Sequence, residues 1–133
     1  MTHDEIILDD DSFLVSETDE KGIIKFASDD FCKLAEYAVD ELIGKPHNLV
    51  RHPDMPPAAF KDLWDTVKKG EIWSGFVKNK SKSGKAYWVY ATVYPYKDKD
   101  GNSGYISCRT KVVSRKEIEH YNELYKSMRA VTA

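Results

Sequence analysis

Hydrophobic positions change their period along the chain. Residues 13–18 and 23–26 are short strand candidates rich in β-branched and aromatic residues, and Asp19-Glu20-Lys21-Gly22 separates the two runs. Two such runs around a polar, glycine-bearing break predict a β-hairpin. Behind Ser28, a residue suited to an N-cap, Phe31, Leu34 and Ala35 stand at i, i+3 and i+4 and predict a short helix. Residues 39–43 add a helical turn closed by Gly44. A longer helix follows, opened by Pro57 and stopped by Gly70, with Phe60, Leu63, Trp64 and Val67 on one face and Lys68 and Lys69 at its C-terminal end. Beyond Gly70 the period is two over 72–80, 86–96 and 104–113, with polar turns at 81–84 and 98–102. Ser114 then caps a last helix in which Ile118, Tyr121, Tyr125 and Met128 recur at spacings of 3, 4 and 3. The order β-β-α-α-α-β-β-β-α predicts an α+β fold, a five-stranded antiparallel sheet with short helices segregated to one face.

Alternation also sorts the strand residues by face. Trp73, Gly75, Val77 and Asn79 share one side of their strand, and Tyr87, Val89, Ala91 and Val93 share one side of the next. The face expected to carry Gly75, Ala91, Cys108 and Thr110 is short of volume. If it points to the helices, it leaves room for a ligand, unless Phe60 and Trp64 fill the gap. The opposite face is expected to carry Trp88, Tyr90, Tyr94 and Tyr105, which calls for a covering N-terminal segment or a partner protein.

Composition narrows the function classes. A net charge of −2 and a pI near 6.1 provide no basic field for nucleic acid or anionic lipid. No apolar run approaches the roughly 20 residues of a membrane span, so no direct membrane contact is expected. The acidic start, residues 1–11, lacks the apolar stretch of a signal peptide. Cys32 and Cys108 lack metal-ligand spacing, which favours a reducing compartment and a cytoplasmic location. No nucleophile–histidine–acid order or phosphate-binding glycine loop stands out, so an enzyme is not expected.

The segment "PHNLVRHPDMPP", residues 46–57, holds four of the five prolines and two of the four histidines, with Arg51 and Asp54 three positions apart. Prolines lower the entropy lost when such a charged loop is ordered. Bland readings remain open: Arg51 and Asp54 as a surface ion pair, Asp54 as a helix cap, Trp64 as core, Asn79 as a turn residue.

The run "GKPHNLVRHPDMPPAAFKDLWDTVKKGEIWSGFVKNKSKSGKAYWVYA", residues 44–91, resembles the PAS domain of bacterial aerotaxis receptors, and the likeness extends more weakly over nearly the whole chain. The predicted element order is the PAS order. The resemblance implies a PAS core over residues 13–113, an N-terminal cap segment over 1–12 and a C-terminal signalling helix over 114–133. It implies a non-covalently bound FAD, with Arg51, His52 and Asp54 in the flavin-binding loop and Trp64, Trp73 and Asn79 as further cofactor-site residues. It further implies a redox or energy sensor, a homodimer, that signals to chemotaxis proteins or domains. In flavin light sensors of this fold a reactive cysteine occupies the place of His47, so cysteine-adduct photochemistry is not expected. Arg51 suits a phosphate or the ring edge that becomes negative on reduction, His52 titrates near neutrality, and Asp54 can orient either cation. Two alternatives stand beside this: a haem sensor with His47 or His52 as axial ligand, and a ligand-free interaction domain that dimerises through its outer aromatics and the terminal helix.

Overall fold

The computed structural model describes Leu8, residues 11–112 and residues 114–132, the last four of these by backbone alone. Most of the expected N-terminal cap segment therefore lies outside the described residues. The chain folds into a single antiparallel sheet of order β2-β1-β5-β4-β3. Its strands are β1 (Leu14–Asp19), β2 (Ile24–Ala27), β3 (Trp73–Lys80), β4 (Ala86–Lys97) and β5 (Ser103–Lys111). Helices α1 (Asp29–Ala35), α2 (Val39–Leu42) and α3 (Pro57–Lys68) lie between β2 and β3, and α4 (Arg115–Thr132) follows β5. A single 3-10 turn spans His47–Val50. The α+β layout, the five strands and the element order match the reading of the periodicity.

The local signals act largely as their chemistry dictates. Pro57 occupies the first turn of α3, and Gly70, at φ +85°, ends it in the left-handed region where glycine carries no Cβ penalty. Ser114 Oγ accepts the Glu117 N–H and caps α4. Ser28 stands at the N-cap of α1, but its hydroxyl accepts the Val15 N–H at 3.0 Å and ties the helix to β1.

One face assignment is corrected. In the β4–β5 ladder Ala91 faces Arg109, Val93 faces Ser107 and Pro95 faces Tyr105. Directly opposed residues share a face, so Tyr105, Ser107 and Arg109 lie with Ala91 on the helix-covered side, and Cys108 and Thr110 lie outside. The strand was read one residue out of phase, and such a slip inverts every side chain.

The aromatic outer face is covered from within the chain. Tyr121 packs on Phe76 with ring centroids 4.4 Å apart, Tyr125 stacks on Trp88 at 6.2 Å, and the Tyr125 hydroxyl donates to the Phe76 carbonyl at 2.7 Å. The α4 seam of Ile118, Tyr121, Tyr125 and Met128 packs against the core, with Tyr125 buried and the other three partly so.

Candidate functional site

Between the sheet and α3 lies a cavity of about 280 Å³. Its floor is formed by Thr18, Val77, Asn79, Ala91, Val93, Tyr105, Ser107 and Arg109, its roof by Phe60, Leu63 and Trp64, and its end walls by Gly22 and the 46–51 segment. The room exists because the floor is built of short side chains where β1, β4 and β5 meet. The α3 aromatics form a lid over this space and do not fill it: Trp64 leans edge-on against Tyr105 with centroids 5.3 Å apart. Gly22 is required there. It sits at φ +83°, and an added Cβ would meet the Trp64 ring at 3.4 Å.

The lining, apolar over most of its surface, carries buried polar groups that a plain core would lack. Of the six buried polar residues among those described, Thr18, Asn79, Ser107 and Arg109 line the cavity. Three lining residues each carry a buried atom with no hydrogen-bond partner: Thr18 Oγ1, Arg51 Nε and Arg109 Nη1. Such groups ordinarily are satisfied, and an unmet donor costs about 1–3 kcal/mol. Two of the three are guanidinium donors, so the cavity is complementary to a ligand rich in acceptors.

The two arginines mark separate regions. Arg51 stacks its guanidinium 3.7 Å over the Phe60 ring, next to the exposed Asn48, while Lys21 and Pro46 also border the cavity from exposed positions. Arg109 is only 3% exposed and lies 4.7 Å over the Phe31 ring. Its Nη2 donates to Ser16 Oγ at 3.0 Å and to His47 Nε2. Burial lowers the Arg109 pKa to about 10, still charged at neutral pH. His47 is half-buried and borders the cavity; burial first, then the Arg109 charge, pushes its pKa down to about 3. The imidazole is neutral, with Nε2 as acceptor.

Of the residues the sequence singled out, Arg51, Trp64 and Asn79 line the cavity. His52, Asp54 and Trp73 lie outside its lining and hold it together. The segment after Arg51 is stitched to the β3 edge. Arg51 forms a backbone bridge with Asn79, the His52 N–H donates to the Lys78 carbonyl at 3.3 Å, and the Lys78 N–H donates to Met55 Sδ at 3.3 Å. Lys78 Nζ donates to Asp54 Oδ2 at 2.7 Å, and the Asp54 N–H donates to His52 Nδ1 at 3.0 Å. The Arg51–Asp54 surface pair considered from sequence is thus replaced by Lys78–Asp54. Trp73 folds its ring over Gly75 and donates from Nε1 to Asp62 Oδ2 at 2.8 Å, joining β3 to α3.

Sequence reasoning missed Thr18, Tyr105, Ser107 and Arg109, and considered His47 only as the residue in place of a reactive cysteine and as a haem ligand. Its Nε2 is engaged by Arg109 and Ser16. One signal was available: Ser16 and Thr18 follow Leu14 at alternate positions, so a strand face that begins in the core continues with small polar groups.

This geometry, a five-stranded antiparallel sheet with a cavity between it and a covering helix, defines a ligand-pocket α+β fold. A sequence model of the PAS fold matches residues 24–110, and the chain belongs to that family. It is 49% identical over 123 residues to the aerotaxis receptor of Escherichia coli, covering 92% of this chain and 24% of that protein. It is 33% identical to a biofilm dispersion protein of Pseudomonas aeruginosa over 64% of this chain and 21% of that protein. The chain therefore spans about a quarter of the length of these curated relatives. Among solved structures, the light state of the blue-light photoreceptor Aureochrome1 LOV superposes with a TM-score of 0.69 and 25% identity, over 84% of this chain and 87% of that one.

Proposed function

We propose that the chain is an FAD-binding PAS sensor that reports redox state to a chemotaxis-type signalling partner. The observation that carries this reading is an aromatic-lidded cavity lined by two arginines, Arg51 and Arg109, each with a buried donor that has no partner. An apolar cavity of about 150 Å³ holds one benzene. The 280 Å³ available therefore suits a fused ring system, and the remainder of a dinucleotide would extend past Lys21, Asn48 and Arg51. The likeness to the aerotaxis receptor supports the same ligand and the same kind of output.

In this reading Phe60, Trp64 and Tyr105 offer aromatic surface to the ring, and the Asn79 amide offers a donor and an acceptor to its polar edge. Arg51 binds acceptors near the mouth. His52, Asp54 and Trp73 act at one remove, fixing the loop and α3 against β3. Bound FAD would supply a reversible redox couple whose ring edge gains negative charge on reduction. Arg109 lies on β5, the strand that leads into α4, so a change in what Arg109 contacts is transmitted along β5 to that helix.

A signalling role, not a catalytic one, follows from using the cavity to hold a resident ligand. Among the described residues no helix is long and apolar enough to cross a membrane, and we place the module in the cytoplasm. The test is reconstitution: purified protein mixed with FAD and desalted should retain a flavin spectrum with near one-to-one stoichiometry. Absence of retained flavin at saturating FAD refutes the proposal.

A further inference from the structure

We propose that Arg109 makes this cavity selective for the electron-rich form of its ligand, acting as a buried counter-charge held ready for a negative ring edge. The inference rests on the flavin reading and adds to it the residue that distinguishes one redox form from the other.

The guanidinium is buried, charged and short of partners. Nη2 is satisfied by two neutral acceptors, Ser16 Oγ and His47 Nε2, while Nη1 is buried with no partner in a residue that lines the cavity. No described carboxylate pairs with Arg109; the ion pairs among the described residues involve Asp54, Asp65 and Glu41 with other bases. A purely structural tether between β1, β5 and the 47–50 turn needs two hydrogen bonds and no charge. A neutral amide would provide them without the penalty of burying an uncompensated cation. The charge is therefore unexplained by the fold. It is explained by a ligand that carries negative charge at the inner end of the cavity.

The surroundings strengthen the effect. His47 is held neutral, so it adds no second charge beside Arg109. Phe31 covers one face of the guanidinium and keeps water from screening it. Arg51, by contrast, lies near the exposed rim, where its attraction for charge is weakened by solvent. Arg109 is accordingly the group whose contact changes most in value when the ligand becomes negative.

The experiment compares affinities for oxidised FAD and for FAD kept reduced under anaerobic conditions, in the native protein, Arg109→Gln and Arg109→Lys. The glutamine variant should lower the reduced-to-oxidised affinity ratio by roughly ten- to hundred-fold, the worth of one charge-assisted hydrogen bond. The lysine variant, which keeps the charge but loses the fork, should fall several-fold. An unchanged ratio in Arg109→Gln overturns the proposal, and if that variant does not fold, an unchanged ratio in Arg109→Lys does so. A native protein that takes up neither form refutes the flavin reading instead. One further readout needs no flavin: ligand-free Arg109→Gln should melt no lower than the ligand-free native protein, since the unpaired buried charge is gone. A clearly lower melting temperature would mark Arg109 as a structural tether and overturn the assignment.

Discussion

Arg109 donates through Nη2 to His47 Nε2, a contact that exists only while the imidazole is neutral. The pair joins β5 to the 47–50 turn across the inner end of the cavity, with Ser16 of β1 bonded to both. A permanently charged donor therefore holds a titratable acceptor in its uncharged form, at the point where sheet and turn meet.

That arrangement sets a pH dependence of stability. The folded-state pKa of His47 is about 3, below its ordinary value of 6.5, so the unfolded chain binds the proton more readily. The stabilisation is complete above about pH 6.5 and declines as pH falls from there towards 3. At about pH 5 the loss should approach about 2 kcal/mol. Urea unfolding at these pH values checks it, and His47→Asn should flatten the slope in that window.

Gly75 leaves space for the Trp73 ring. A Cβ placed there would lie 2.6 Å from Trp73 Cη2, so Gly75→Ala must displace the indole and break its bond to Asp62. Destabilisation of about 1–3 kcal/mol is expected, with a shift of tryptophan fluorescence towards that of exposed indole. Thermal melts and emission spectra measure both effects.

The loop and Arg51 should act as one unit. Asp54 holds the segment through Lys78, and Arg51 precedes it by three residues. Arg51→Ala and Asp54→Ala should each weaken FAD binding, and the double variant should lose less than the sum of the two. Strict additivity would show that Asp54 acts on the ligand independently of the loop.

Helix α4 is fastened to the outer face by the Tyr125 hydroxyl. Tyr125→Phe removes that donor and should cost about 1 kcal/mol. Amide exchange in α4 should rise more than in β4, which chain-wide exchange measurements will resolve.

Much of this was legible in the amino-acid order. The amphipathic period of α3, the turns at 81–84 and 98–102 and the cap at Ser114 are local signals, and each lies where its chemistry requires. The face of β5 was not legible. Tyr105-Ile106-Ser107-Cys108-Arg109 places an apolar or polar candidate on either side, and its phase is set by pairing with β1 and β4, partners distant in sequence. A buried arginine is also the residue a hydrophobic count assigns to solvent. Arg109 became visible only through the register that sets it opposite Ala91 and Leu14. Trp73 shows the converse case: its face was assigned correctly, yet Asp62 draws its indole towards α3 and away from the cavity lining.

The most direct test fills the cavity from its floor. Ala91 is 3% exposed, lies between Gly75 and Arg109 in the sheet and borders the cavity, so Ala91→Phe would place a ring where the ligand ring is to lie. Equilibrium titration with FAD, followed by quenching of flavin fluorescence, should give saturable one-to-one binding for the native protein. It should give none for Ala91→Phe, with circular dichroism unchanged. Equal binding by a natively folded Ala91→Phe would contradict the account.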